Sequence, residues 1–391
     1  AALPPGGPDV QRTDSFPTIR RLYAGAMYPF DPSSPVSADF RDSVSARILS
    51  FLDDEKRVID AIGAELSPVL DAARDYTAGG KRLRPAFCYW GHAAAADQPI
   101  EPTGLLQAAA SLEFLHVSAL VHDDLMDHSD TRRGLPSVHR RFEAAHGIAH
   151  GDGPAEQFGC DIAILLGDLL LMWSSQMFTS APVKADRLAA ATPLLDAMRT
   201  EVTCGQVLDV TSQSGMAGSD SESALDLVGR VVEYKCASYT VVRPCQIGVA
   251  LAGGSDRLQQ TMADFGSPIG RAFQYRDDLL GVFGDAELTG KPAGDDLREG
   301  KRTVLVAHAL DRADSHDAAR LKSLLGRPDL DDDDVATARR IIETSGAREA
   351  VESTIVQCHD HAVAVLDDAE MTDAGRIALR ELARQCVERH F

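Results

Sequence analysis

The chain has 391 residues, of which 44% are hydrophobic, and a formal net charge of −20 from 39 basic and 59 acidic residues. This composition is sufficient for a large buried core, and the acidity argues against a nucleic-acid-binding surface. No apolar stretch approaches the roughly 20 residues that a membrane helix needs, so no transmembrane segment is expected.

In chain order, residues 1–17 are rich in proline and glycine and predict a flexible N-terminal tail. From residue 18 to 391, apolar residues recur mostly at spacings of three and four, which predicts one all-helical domain. The residue 239–254 segment, YTVVRPCQIGVALAGG, is compatible with a buried helix or a strand, and HGIAHGDGPAEQFG, residues 146–159, predicts a loop. The seven cysteines form no CxxC pair, which favours a reducing, cytoplasmic location.

The first notable motif is LVHDDLMD, residues 120–127, at the end of an apolar helical segment. Asp123 and Asp127 are four residues apart, so on a helix their carboxylates share one face and repel each other. A positive group between them would explain their retention. An oxygen-only ligand set suits a hard cation, and magnesium is the expected ion.

A second acidic pair, Asp277 and Asp278, ends another apolar segment in FQYRDDLLGVFGD. Two such helix ends facing one cavity would hold magnesium and leave open positions for phosphate oxygens. Other acidic runs have a simpler explanation. The run DLDDDDVATARR, residues 329–340, predicts an exposed helix N-cap.

Basic residues cluster in three further segments: GGKRLRP (79–85), DTRRG (130–134) and KPAGDDLREGKRT (291–303). Arginine presents a planar fork to phosphate oxygens, and lysine presents a point charge. These segments, with Lys235, predict that anionic groups are bound beside the metal site.

In this order, the motifs GGKRLRP, EFLHVSALVHDDLMD, DTRRGLP, ILLGDLL, GQVLD, YKCASY, FQYRDDLLG and GKPAGDDLREGKRT resemble those of the trans-isoprenyl diphosphate synthases, the polyprenyl synthetase family. The resemblance implies an all-α bundle of roughly 12–15 helices around a central apolar cavity. It also implies magnesium-dependent head-to-tail condensation of isopentenyl diphosphate with an allylic diphosphate, with about three Mg²⁺ ions per site, in a homodimer.

The resemblance assigns roles to individual residues. Asp123, Asp127, Asp277 and Asp278 resemble the metal ligands. The isopentenyl diphosphate site is represented by Lys81, Arg84, His116 and Arg133, and the allylic diphosphate site by Arg132, Lys235, Gln274, Lys291 and Lys301. The pattern departs from the family at Gly281, where the second motif usually ends in aspartate, and Asp285 is a candidate substitute. Cys236 stands where the family often has threonine.

Product length is expected to depend on small residues just before the first motif. Ala119 and Ser118 lie four and five positions before Asp123, about 6–7.5 Å along a helix, and Leu115 could form a deeper floor. Their size favours geranylgeranyl diphosphate as product, with longer polyprenyl diphosphates as the alternative. The other hypotheses are a terpene cyclase, a metal-dependent phosphohydrolase using His122 and Asp123, and a non-catalytic subunit of the same fold.

Overall fold

The computed structural model describes residues 28–99, 101–214, 221–284, 294–327 and 329–388, and the all-α prediction is confirmed. The helices are α1 (Ala38–Ile62), α2 (Ser67–Thr77), α3 (Leu83–Ala95), α4 (Pro102–Met126), α5 (Val138–Ala149), α6 (Ala155–Thr179), α7 (Ala185–Gln213), α8 (Ser221–Val231), α9 (Arg243–Ala252), α10 (Asp256–Phe283), α11 (Asp295–Arg298), α12 (Val304–Arg312), α13 (Ser315–Leu324), α14 (Asp332–Thr344), α15 (Ala347–Asp368) and α16 (Asp373–Val387). A 3₁₀ turn spans Ala64–Leu66, and a π-helix spans Val232–Val242. Strands β1 (Thr131–Arg132) and β2 (Leu135–Pro136) form a small antiparallel hairpin.

Helix α4 lies at the centre of the bundle and packs against α1, α3 and α6. Its apolar side chains cover nearly the whole circumference, which is typical of a helix buried on all sides. Most side chains from Leu105 to Val121 are buried, and the polar end with Asp123 follows directly. The central helix therefore delivers the first acidic motif to the end of the apolar core.

Helices α3 and α9 approach each other closely because both carry a glycine in their contact. A Cβ added to Gly91 would lie 2.5 Å from the Cys245 carbonyl oxygen, and one added to Gly248 would overlap the Cys88 carbonyl oxygen. Only a residue without a side chain allows the two backbones this separation. The contact fixes α3, whose first turn contains Arg84.

The ambiguous segment 239–254 is helical, since the π-helix continues into α9 without a break. Pro244 lies just after the junction and cannot donate a helical hydrogen bond to the preceding turn, at the point where π geometry changes to α geometry. The exposed N-cap predicted for DLDDDDVATARR is also present, because Asp331 Oδ1 accepts a hydrogen bond from Asp334 N at 2.8 Å.

The predicted loop at 146–159 is largely wrong. Helix α5 continues to Ala149 and α6 begins at Ala155, so only residues 150–154 connect them. The glycines of this segment suggested a loop, although most of its residues belong to the end of α5 and the start of α6. The predicted tail, residues 1–17, lies outside the described residues, and the single-domain assignment of 18–391 stays a prediction.

The sequence predicted no apolar stretch long enough to span a membrane, and this prediction is wrong for two helices. Both α4 and α6 are long and apolar enough to do so, judged by length and composition alone. The most apolar 18 residues of α4 have a mean hydropathy of 1.4 and are 72% buried. Those of α6 have a mean hydropathy of 1.5 and are 39% buried. Burial in the bundle accounts for the apolar surface of α4. Helix α6 keeps exposed apolar side chains at intervals of seven residues, at Phe158, Leu165 and Met172.

Candidate active site

The three aspartates of the first motif have two different environments. Asp123 and Asp127 are partly exposed on one face of the α4 end, as their spacing predicts. Asp124 is buried and accepts hydrogen bonds from Arg132 Nε at 2.9 and 3.1 Å, with a further bond from Arg132 Nη2. Asp124 thereby anchors the β1–β2 hairpin, and Arg132 is held beside the motif.

The Asp123 carboxylate is surrounded by donors from distant parts of the chain. Its Oδ1 accepts hydrogen bonds from Lys235 Nζ at 3.0 Å and from Gln206 Nε2 at 2.9 Å. Lys235 Nζ also donates to Asp209 Oδ2 at 2.5 Å. Burial would raise the pKa of Asp123, but Lys235 and then Lys301 outweigh this effect and hold that pKa below its ordinary value.

Gln206 and Asp209 were not predicted as site residues, although both belong to the GQVLD motif. Their spacing of three residues on α7 places them on one helix face, and this spacing could have indicated from the sequence that both side chains serve one site. A Cβ on Gly205 would lie 2.8 Å from Lys235 Cα. This close approach brings α7 and the π-helix together and positions Gln206, Asp209 and Lys235 beside Asp123.

Lys301 joins the two acidic motifs. Its Nζ lies 3.6 Å from Asp127 Oδ2 and 3.6 Å from Asp296 Oδ1, and it pairs with Glu299 Oε2 at 2.6 Å. Asp296 in turn contacts the position of Gly281 in the second motif. Burial and then Asp123 raise the pKa of Asp127 to about 6, while Lys301 acts in the opposite direction.

In the second motif, Gln274 Nε2 donates to Asp278 Oδ1 at 2.8 Å along one face of α10. Asp278 is only 3% exposed, and its Oδ2 has no hydrogen-bond partner among the residues that the structure describes. Burial raises the pKa of Asp278 to about 8, with Asp296 and Asp277 adding to the shift. Burial raises the pKa of the Cys236 thiol; Lys235 lowers it, and Asp278, Asp209 and Asp277 add to the rise.

These residues fit a divalent cation of the magnesium type. The donors Asp123, Asp127, Asp277 and Asp278 are all carboxylates, the ligands that a hard cation prefers. Asp278 offers an unpaired, buried oxygen. Burial, and after it the neighbouring carboxylates, raises the pKa of both Asp127 and Asp278, and a bound cation would favour their charged forms.

A second polar group lies around Arg84 and His116. Arg84 Nη2 donates to Thr240 Oγ1 at 2.8 Å, and its guanidinium carbon lies 4.1 Å from the Tyr239 ring centroid. The Tyr239 hydroxyl is 3.1 Å from His116 Nδ1. Burial, and then Arg84 and Arg133, lower the pKa of His116 well below its ordinary value, so the imidazole is neutral. Tyr239 and Thr240, both on the π-helix, were not predicted.

The basic segment 79–85 divides into two parts. Arg82 points into the core, where its Nη1 pairs with Glu113 Oε2 at 2.8 Å, whereas Lys81 lines a surface cleft of about 370 Å³. The Arg133 guanidinium lies against Gly80, 3.2 Å from the position of an added Cβ. Arg133 thus contacts the loop that carries Lys81.

The remaining predicted residues have distinct positions. Ala119 is half-buried on the face of Asp123, whereas Ser118 is buried and donates to the Gly167 carbonyl oxygen of α6 at 2.7 Å. Leu115 is buried in the core. Lys291 and Asp285 lie outside the described residues.

His122 does not act with Asp123 in this arrangement. Its Nε2 lies 3.2 Å from the Ile164 carbonyl oxygen and 3.7 Å from Asp168 Oδ1, both on α6. The imidazole therefore faces a neighbouring helix, and the geometry gives no support to a phosphohydrolase based on the His122–Asp123 pair.

A family model described as polyprenyl synthetase matches residues 67–342. The solved structure of geranylgeranyl pyrophosphate synthase from Corynebacterium glutamicum, complexed with isoprenyl diphosphate and magnesium, is 40% identical and superposes with a TM-score of 0.86, covering 92% of this chain and 100% of that one. Short chain isoprenyl diphosphate synthase from Methanothermobacter thermautotrophicus is 32% identical over 315 residues, 80% of this chain and 87% of that protein. Nonaprenyl diphosphate synthase from Mycobacterium tuberculosis is 29% identical over 348 residues, 88% and 92% of the two chains.

Proposed function

This chain belongs to the polyprenyl synthetase family, and from that premise we propose that it condenses isopentenyl diphosphate with an allylic diphosphate to release geranylgeranyl diphosphate. It is a trans-prenyl diphosphate synthase, a prenyltransferase with the isoprenoid synthase fold. The product is the proposed part. Its support is the small side chain of Ala119 and the 40% identical C. glutamicum structure, whereas the relatives at about 30% identity differ in product length.

The observation that supports the site best is the position of Lys301 between Asp127 and Asp296. Asp127 ends α4, and Asp296 abuts the second motif on α10, so one cation connects segments far apart in sequence. We assign Asp123, Asp127, Asp277 and Asp278 to magnesium. The number of ions, about three by the resemblance, stays a prediction.

Bound magnesium would stabilise the negative charge that develops on the departing diphosphate. Arg132, Lys235 and Lys301 are held at the carboxylates by Asp124, Asp123 and Asp127, where they can bind the allylic diphosphate. Gln274 orients Asp278, and Lys291 stays a prediction. The allylic carbon–oxygen bond breaks, its electron pair stays on the diphosphate, and an allylic carbocation remains. The double bond of isopentenyl diphosphate attacks this carbocation, and the product then loses a proton to the released diphosphate.

The isopentenyl diphosphate site is assigned to Arg84, His116, Lys81 and Arg133. Arg84 is fixed by Thr240 and the Tyr239 ring, so little side-chain entropy remains to be lost when it binds phosphate. His116 is neutral and can donate a hydrogen bond without a charge. In this proposal the allylic diphosphate is bound through magnesium, and isopentenyl diphosphate is bound directly by cationic side chains.

The product is tested by incubating the protein with labelled isopentenyl diphosphate and each short allylic diphosphate, followed by chromatography of the dephosphorylated products. Geranylgeranyl diphosphate should be the end product. A longer end product would reject the proposed product length. Replacement of Asp123 by Asn should lower the rate at least about a hundredfold, whereas Asp331→Asn at the exposed N-cap should not.

Ala119 is the better position to test the proposed tail cavity, because Ser118 is committed to its contact with α6. An Ala119→Phe variant should release shorter products, since the ring would lie about 6 Å along α4 from Asp123. A Ser118→Ala variant is the matched control and should keep the wild-type product. Unchanged product length in Ala119→Phe would reject this position for the tail.

A homodimer is also proposed, supported by the exposed residues Phe158, Leu165 and Met172 on α6. Apolar side chains at this spacing form a continuous stripe that a second copy could cover. Leu165→Asp should shift the mass measured by light scattering to that of a monomer, and Val356→Asp on α15 is the exposed control. Vesicle binding lost in Leu165→Asp without a mass change would instead identify a membrane contact.

A cytoplasmic location remains our proposal and is supported by the free thiols of all seven cysteines. The absence of a nucleic-acid partner also stays a prediction, supported by the net charge of −20.

A further inference from the structure

Tyr239 contacts two of the residues that the proposed function assigns to isopentenyl diphosphate. Its hydroxyl lies 3.1 Å from His116 Nδ1, and its ring centroid lies 4.1 Å from the guanidinium carbon of Arg84. The tyrosine is only 7% exposed. One buried side chain therefore contacts the imidazole through its hydroxyl and the arginine through its ring.

The π-helix holds Tyr239 in place, because glycines let two neighbouring helices approach its backbone. On one side, a Cβ added to Gly205 of α7 would lie 2.4 Å from Lys235 N. On the other side, a Cβ added to Gly270 of α10 would lie 2.3 Å from Ala237 Cα. Backbones packed this closely leave the segment little room to move, so the fold sets the position of Tyr239.

The hydrogen bond between Tyr239 and His116 has two conceivable directions, and burial favours one of them. Among the residues that the structure describes, the Tyr239 hydroxyl has its only hydrogen bond with His116 Nδ1. If Nδ1 were the donor, the buried phenol O–H would lack an acceptor, and an unsatisfied buried donor is costly. The guanidinium of Arg84 offers only donors and cannot accept that proton. The phenol therefore donates to Nδ1.

The direction of this bond decides where the imidazole carries its proton. Burial, and then Arg84 and Arg133, lower the pKa of His116, so the substrate-free ring is neutral. A neutral ring with an unprotonated Nδ1 is protonated at Nε2. Within the described ranges His116 has no second hydrogen bond, so Nε2–H is available to a ligand. Accepting a hydrogen bond at Nδ1 also polarises the ring and strengthens Nε2–H as a donor.

We propose that Tyr239 is a positioning residue for isopentenyl diphosphate: its hydroxyl donates to His116 Nδ1 and fixes the imidazole form whose Nε2–H donates to the diphosphate. The inference rests on the proposed function, because it takes His116 as a residue of the isopentenyl diphosphate site. Tyr239 acts through the imidazole and does not itself bind the substrate.

The protonated nitrogen is identified by ¹⁵N nuclear magnetic resonance of the substrate-free, full-length protein labelled at histidine. The signals of His116 are those that a His116→Ala variant loses. Their chemical shifts should show a protonated Nε2 and an unprotonated Nδ1, and the Nδ1 shift should change in Tyr239→Phe. A proton on Nδ1 in the wild-type protein overturns the proposal.

Steady-state kinetics test the consequence for binding. Tyr239→Phe keeps the ring beside Arg84 and removes only the hydroxyl. It should raise the KM for isopentenyl diphosphate about fivefold and leave kcat and the KM for the allylic diphosphate within about twofold. Tyr234→Phe is the matched control, because Tyr234 lies on the same π-helix, is 40% exposed and should keep all three constants.

A double-mutant cycle separates this role from a purely structural one. The loss caused by Tyr239→Phe should disappear in the His116→Ala background, with far-UV circular dichroism showing that each variant is folded. An equal loss in that background overturns the proposal, as does an unchanged KM for isopentenyl diphosphate in Tyr239→Phe. A wild-type protein that transfers no prenyl group overturns the proposed function, whereas an active wild type with the proton on Nδ1 overturns only the role of Tyr239.

Discussion

The buried ion pair between Arg82 and Glu113 should make a large contribution to stability. Arg82 is 2% exposed, and its guanidinium donates to Glu113 Oε2 at 2.8 Å, to the Thr77 carbonyl oxygen at 2.8 Å and to Ser45 Oγ at 3.0 Å. An Arg82→Met variant keeps much of the side-chain volume but leaves the buried Glu113 carboxylate without its nearest cation. Removing one partner of such a pair costs about 3–5 kcal/mol.

The assay is urea-induced unfolding followed by far-UV circular dichroism, at one protein concentration so that any dimer contributes equally. Arg74→Met is the matched control, because Arg74 pairs with Asp53 at 2.6 Å on the surface and should lose at most about 1 kcal/mol. An Arg82→Met, Glu113→Leu variant removes both charges and should recover most of the loss. An Arg82→Met variant that loses no more stability than Arg74→Met would contradict a large contribution from the buried ion pair.

Three further outcomes follow from the structure. Gly248→Ala should destabilise the protein by about 1–3 kcal/mol or more, since its Cβ would meet backbone atoms of α3, whereas Gly147→Ala has open space and should stabilise α5 by about 0.5–1 kcal/mol in the same unfolding assay. Burial lowers the pKa of His92 to about 4 in the folded protein, so between pH 6.5 and 4 the unfolded chain binds a proton at His92 that the folded chain does not. The free energy of unfolding should therefore fall by about 3 kcal/mol as pH falls through this window. His92→Gln should flatten this dependence of stability on pH. Gln206→Leu removes a donor to Asp123 at 2.9 Å and should raise the magnesium concentration for half-maximal rate about tenfold, and an unchanged magnesium titration would contradict this.

Interactions between residues close in the chain were predictable. The shared face of Asp123 and Asp127 follows from a spacing of four on a helix, as does the Gln274–Asp278 hydrogen bond. The Asp331 cap is equally local. Such features depend only on helical geometry, which the apolar periodicity had already indicated.

Neighbouring residues with the same chemistry could not be separated in this way. Arg82 and Arg84 are two residues apart, yet Arg82 has φ of +55° and enters the core while Arg84 reaches the π-helix. Asp123 and Asp124 diverge for a similar reason, since only Asp124 meets Arg132. The direction of each side chain depends on the elements packed around it.

The sequence by itself determined the all-helical class, the two acidic helix ends and the basic segments that accompany them, because repeated spacing and charge are properties of the chain alone. Tertiary structure alone decided that Lys301 links Asp127 to Asp296, and that Asp296 fills the space beside Gly281. Those contacts join residues from separate helices, and their distances depend on how the buried surfaces pack against one another rather than on any local period.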